Sequence, residues 1–196
     1  MIGGVGALSK MPKVKKALGG MKKLINEGKW PTFTKKWDDL ARAGAKVFSK
    51  QIDDVLAKLK SRAKYSLDGT GKHKVVKGHH PMAKKAFEGD LAYNYNDAFS
   101  VKVTALEDAW KSANQGIPQN IHGKITGQQN SLYTAWKKAN PTKKLTLDEM
   151  ADIEIQAMVN AGIPEDIATG WVIKSLEDLK LQGVTEIKNI PWNGTN

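Results

Sequence analysis

The sequence predicts an α+β fold that is mostly helical, and three observations predict it. Apolar residues recur at three- and four-residue spacing from Trp37 to Leu59, as on one face of a helix. Between Ala63 and Val103 that period gives way to short β-branched runs separated by Gly, Asp and Asn. Helical spacing then returns and is punctuated by Pro141 and by Gly162-Ile163-Pro164.

Each element follows in order. Residues 1–29 are rich in Gly and Lys and read as a flexible basic lead, or as a weak amphipathic helix that Gly3, Gly4, Gly6, Gly19 and Gly20 weaken. Trp30-Pro31 marks a boundary, and residues 30–196 are expected to form one domain. Helical spacing spans Thr34 to Ala63, with Gly44 a candidate break. Ala63–Leu67 and Lys72–Lys77 read as two short strands around Asp68-Gly69. Pro81 can open a helix from Met82 to Glu88, with Gly89 as its stop. A polar loop and a strand near Phe99–Val103 follow, then a short helix, Leu106–Ala113. The next helix is expected over Gly127–Ala139, with Thr126 and Gln129 as a capping box and Leu132, Tyr133 and Trp136 inward. Thr146–Ala161 and Pro164–Gln182 form a helical hairpin (146–182) whose charges are mostly acidic, and the tail suits a short strand.

The chain has no cysteine, which excludes disulfides, thiolate metal sites and a Cys nucleophile. Any metal must therefore use imidazole, carboxylate, amide or water. No apolar run approaches the roughly 20 residues of a membrane span, and the N-terminal stretch is a poor signal peptide, so neither is expected. The net charge of +11 is unevenly placed. Residues 1–100 hold 21 Lys+Arg against 9 Asp+Glu, whereas residues 101–196 hold 10 against 11. That basic half favours a polyanionic partner, although lysines also serve simply to solubilise a surface.

The basic half also holds three of the four histidines: His73, His79 and His80, with His122 elsewhere. Adjacent side chains on a strand point to opposite sides, so His79 and His80 can hold different jobs. Phosphodiester hydrolysis needs two such jobs. Imidazole suits the base that activates water, and a divalent ion stabilises the charge that develops on phosphorus and the leaving oxygen. His122 is the candidate partner for a metal, because it lies just ahead of an expected helix N-terminus, where anions are also favoured.

Gly78-His79-His80-Pro81, followed later by a His near a helix start, resembles the ββα-metal (HNH, His-Me finger, treble-clef) nucleases. Gly78 to Gly89 looks like the GHH-type branch, found as C-terminal toxin domains of bacterial polymorphic toxins, including Rhs-repeat proteins. The resemblance covers about residues 63–140 and implies a small ββα-metal core there, flanked by N-terminal helices and the C-terminal hairpin. It implies His79 and His122 as metal ligands and His80 as general base. It implies a divalent ion (Mg²⁺, Mn²⁺ or Zn²⁺), DNA as substrate, and a cognate immunity protein as partner. It further implies a monomeric effector without its own signal peptide, delivered into the target-cell cytoplasm. The family's middle Asn has three candidates, Asn94, Asn96 and Asn120. The family's further helix ligand, one turn after its His, falls at Thr126, which reads as a cap; Gln128 and Gln129 are the alternatives.

Blander readings stand beside these. Lys77, Lys84, Lys85 and Lys124 flank the site as candidate DNA-phosphate contacts, yet each alone is an ordinary solvated side chain. Glu88 reads as a surface carboxylate rather than an orienter of a His, and His73 as a surface residue in a Lys-flanked turn. Trp110, Tyr133, Trp136 and Trp171 sit at core spacing and are not read as base-stacking platforms. The rival functions are an RNase using two histidines without metal, a non-catalytic nucleic-acid-binding module, and a membrane-active toxin using residues 1–29.

Overall fold

The computed structural model describes residues 30–64 and 68–196, with side chains from Asp38 onward in the first helix. The expectation for residues 1–29, and most of the expected strand Ala63–Leu67, lie outside the described residues. Six α-helices and two small antiparallel sheets make up the described fold, so it is α+β and mostly helical, as the sequence predicts.

Helix α1 (Trp30–Leu59) is continuous. Gly44 does not split it, and Phe48, Ile52, Val55, Leu56 and Leu59 are buried along one stripe. Strand β1 (Thr70–Lys72) leads into α2 (His73–Val76), a single helical turn where the β-branched run suggests a strand. The turn forms because the His73 and Lys74 N–H groups donate to the carbonyls of Ala98 and Asn96, at 2.9 and 2.8 Å. The expected helix Met82–Glu88 is likewise reduced to one 3₁₀ turn, Lys84–Ala86.

Strand β2 (Phe99–Val101) pairs antiparallel with β1, Gly71 opposite Ser100. Helix α3 (Val103–Lys111) follows, then α4 (Ile121–Ala139). The α4 start corrects the sequence reading. Asn120, at φ 46°, is the N-cap and accepts from the Gly123 N–H at 3.1 Å. Thr126 lies inside the helix and donates to the His122 carbonyl, and Gln129 is buried rather than capping.

Helices α5 (Leu147–Asn160) and α6 (Glu165–Gln182) form the expected hairpin. The capping box belongs to α5, as Thr146 with Glu149. Gly162 joins the two helices at φ 96°, and a Cβ there would lie 2.5 Å from the Trp110 indole nitrogen. Helix α6 is buried on most sides through Ile167, Trp171, Val172, Ile173, Leu176 and Leu179. It packs on α1, α5 and β2, which makes it the centre of the core. Tyr133 is also fully buried, while Trp110 and Trp136 pack partly buried against the same core.

The tail forms the hairpin β3 (Asn189–Ile190) and β4 (Gly194–Thr195). It straps the segment after the His pair: the Lys188 N–H donates to the Ala86 carbonyl at 2.8 Å, and Asn189 Nδ2 donates to the carbonyls of Lys85 and Glu88. No described helix is long and apolar enough to cross a membrane.

Candidate active site

His79 is placed by backbone pairing. Its N–H donates to the Val101 carbonyl at 2.7 Å, and the Val101 N–H donates back at 2.8 Å, extending the β1–β2 sheet by one bridge. Gly78 is what permits this approach. A Cβ at residue 78 would lie 1.9 Å from the Val101 carbonyl oxygen, which is backbone and cannot swing away. Gly78→Ala is therefore expected to break the bridge and to lower stability by about 1–3 kcal/mol, read as a lower melting temperature. Retention of the wild-type melting temperature would contradict this.

The two histidines of the pair face different surroundings. His79 is 3% exposed, and its Nε2 is buried without a hydrogen-bond partner. Its ring lies 5.4 Å from that of His122, edge to face. His122 is exposed in the first turn of α4, so the fold brings one buried and one open imidazole together. Burial, and then the neighbouring His122 and His80, push the His79 imidazole down to about 3, so it stays neutral, the form that binds metal.

His80 is held on the other side. Its Nε2 lies 3.2 Å from the Tyr95 carbonyl. A carbonyl only accepts, so the network assigns the proton to Nε2 and leaves Nδ1 as the basic nitrogen. Nδ1 has no hydrogen bond among the described residues and is not sealed from solvent. Burial, opposed by the Tyr95 carbonyl and reinforced by His73, Lys84 and His122, lowers the imidazole to about 4.

His73 is not a free surface residue. It is half-buried and stacks on His80 at 4.2 Å between ring centroids, 30° between planes. Its Nδ1 lies 3.3 Å from Ser100 Oγ, which itself donates to the His79 carbonyl at 2.9 Å. The loop that supplies the Tyr95 carbonyl is closed by Asn94, whose Nδ2 donates to Asp97 at 2.7 Å and whose Oδ1 accepts from the Asn96 N–H. Of the three asparagines, Asn94 thus braces the loop beside His80, and Asn120 serves as the α4 cap.

The four lysines divide. Lys84 Nζ lies 4.8 Å over the Tyr95 ring and is close enough to His80 and His73 to disfavour their charged forms. Lys124 is exposed two residues after His122 on α4, and Lys77 is exposed at φ 49°, one residue before Gly78. Lys85 turns toward the tail, 5.2 Å over the Trp192 ring. Glu88 is exposed.

Sequence reasoning missed Tyr95, Ser100 and Glu154. Glu154 is fully buried on α5 and accepts from the Ala83 N–H at 2.8 Å, Tyr133 Oη at 2.7 Å and Gln129 Nε2 at 2.5 Å. It ties the turn after His80 to α4. A signal was present, since Glu154 falls on the stripe of Met150, Ala151, Ile155 and Met158. Ser100 and Tyr95 carried none.

Two imidazoles are the available metal donors: among the described residues no group of three or more His, Cys, Asp or Glu is placed to hold a metal. The unpartnered Nε2 of buried His79 beside His122 would suit a divalent ion that takes only two ligands from the protein. A cavity of about 660 Å³ between α1, residues 144–148 at the start of α5 and the tail contains no histidine and is not part of this cluster.

Compared with protein-family models, with curated proteins and with solved structures, the chain has no match.

Proposed function

We propose that this chain is a metal-dependent endonuclease that hydrolyses DNA phosphodiester bonds through a ββα-metal core of β1, β2, the His79–His80 segment and α4. The observation that carries the reading is the division of labour in the His pair: His79 meets His122, while His80 is fixed by the Tyr95 carbonyl with its basic nitrogen unused. The resemblance of Gly78-His79-His80-Pro81 to the GHH toxin nucleases points the same way.

His79 and His122 would hold a divalent ion, which supplies positive charge for the phosphorane and for the departing oxygen. His80 Nδ1 takes a proton from the attacking water. The new O–P bond forms as the P–O bond to the leaving oxygen breaks, and that oxygen takes a proton from solvent. Lys77, Lys84 and Lys124 hold flanking phosphates and add affinity without sequence preference. Lys85, drawn toward Trp192, contributes less. The basic half, residues 1–100, suits a DNA substrate and an acidic immunity protein that covers the site, as expected for a delivered antibacterial effector.

Plasmid DNA incubated with the purified chain and Mg²⁺, Mn²⁺ or Zn²⁺ tests the reading. Nicking that EDTA abolishes is expected. His79→Ala and His122→Ala are each expected to weaken metal binding by at least about 10- to 100-fold, the loss that follows removal even of an outer-shell partner, read by calorimetry. The stacked His73–His80 pair favours one other reading, metal-free acid–base cleavage of RNA. Intact plasmid with chelator-resistant cleavage of RNA would replace the DNase reading with that one.

A further inference from the structure

We propose that His73 is a positioning residue for His80, holding the imidazole of the proposed base in the one orientation that keeps its Nε2–H on the Tyr95 carbonyl. The inference rests on the nuclease reading for its catalytic consequence, but its structural part stands on contacts alone.

An imidazole ring has two things to fix, its hydrogen-bonded edge and its plane. The edge of His80 is fixed by the Tyr95 carbonyl. That single bond does not by itself fix the plane of the ring. The plane is fixed by His73, stacked at 4.2 Å with 30° between the rings.

His73 can do this because it is itself held on two sides. Its N–H donates to the Ala98 carbonyl at 2.9 Å, at the start of the one-turn helix α2. Its ring meets Ser100 Oγ at 3.3 Å. Ser100 has one hydroxyl proton and gives it to the His79 carbonyl, so it accepts from His73 Nδ1. The same serine on β2 therefore anchors the backbone at His79 and the ring that backs His80. The platform is built into the sheet and is not a chance surface contact. Stacked rings share no proton, so His73 orients His80 and does not relay its proton.

The test uses the full chain and three variants: His73→Ala, His73→Phe and Ser100→Ala. The His80 tautomer is read by nitrogen-detected NMR, and plasmid cleavage by kcat and KM separately. In the wild type, His80 is expected as the Nε2–H tautomer. His73→Ala should mix the tautomers and lower kcat by about 10- to 100-fold, with KM and metal affinity within twofold. His73→Phe keeps a stacking ring without the imidazole nitrogens and should recover most of both readouts. Ser100→Ala should fall between the two.

An unchanged His80 tautomer and unchanged kcat in His73→Ala would overturn the proposal. So would a His73→Phe chain that is folded and as impaired as His73→Ala. If the wild type cleaves no nucleic acid, the nuclease reading falls, and the NMR arm still decides whether His73 orders His80.

Discussion

His80→Ala is expected to lower the rate of DNA cleavage by about 10²- to 10⁴-fold, the range of a single positioned general base, while metal binding and melting temperature stay near wild type. The reasons are geometric. His80 is only half-buried, so its truncation leaves no sealed cavity. The ring contact between His79 and His122 does not include His80, so the two imidazoles proposed for the metal remain together. What is lost is one basic nitrogen, Nδ1, which no described group satisfies. His79→Ala differs in kind, because it empties a buried site that the sheet encloses and should reduce stability, metal affinity and rate together. The two variants therefore separate the roles assigned to the pair. Full cleavage by His80→Ala would remove His80 as base. A parallel loss of metal binding would mean that both histidines serve the metal.

Much of the helical frame was legible because long periodic stripes and helix punctuation are local signals. Helices α5 and α6 fall within a residue of the expected Thr146–Ala161 and Pro164–Gln182, since Pro164 and a left-handed Gly183 punctuate the pattern. The middle of the chain was less legible because long-range bonds decide it. Val75-Val76 has strand composition, yet the carbonyls of Asn96 and Ala98 capture the preceding N–H groups and wind one helical turn. Thr126 and Gln129 match a capping box, so the α4 start read as lying near 127. Asn120 caps it earlier, which puts His122 inside the first turn. The Gly-His-His motif was visible as residues, but the reason for its glycine, the Val101 carbonyl, was not. His73 read as surface because lysines flank it, and nothing local reports that its ring turns inward onto His80. Single histidines are placed by tertiary contacts, and period and composition do not reach them.

Glu154 is where the greatest effect on stability is expected. Glu154→Ala leaves the Ala83 N–H, Tyr133 Oη and the Gln129 amide without their shared acceptor in a fully buried place, and should cost about 3–5 kcal/mol. Burial raises the carboxyl from its ordinary 4.5 to about 7, against the lowering pull of Tyr133, Gln129 and Ala83. The folded state therefore binds this proton more tightly than the unfolded state does. The stabilisation is complete below about pH 4.5 and is lost as pH rises through about 7, roughly 3 kcal/mol in all. Glu154→Gln removes the titration. Its oxygen can serve Ala83 and Tyr133, and its amide meets Gln129 once that side chain turns its own oxygen inward. The glutamine variant should match the wild type in chemical denaturation at pH 5 and exceed it at pH 8. Comparing the two chains at each pH cancels the opposing titration of His79 and His80, whose lowered values make stability fall as pH drops below about 6.5. A gap between glutamine variant and wild type that stays constant from pH 5 to 8 would show that Glu154 is ionised throughout. In that case the three donors, not burial, set its charge. Either way the contact to the Ala83 N–H matters to the site, because Ala83 lies three residues after His80 in the chain and Glu154 is what anchors that turn to α5.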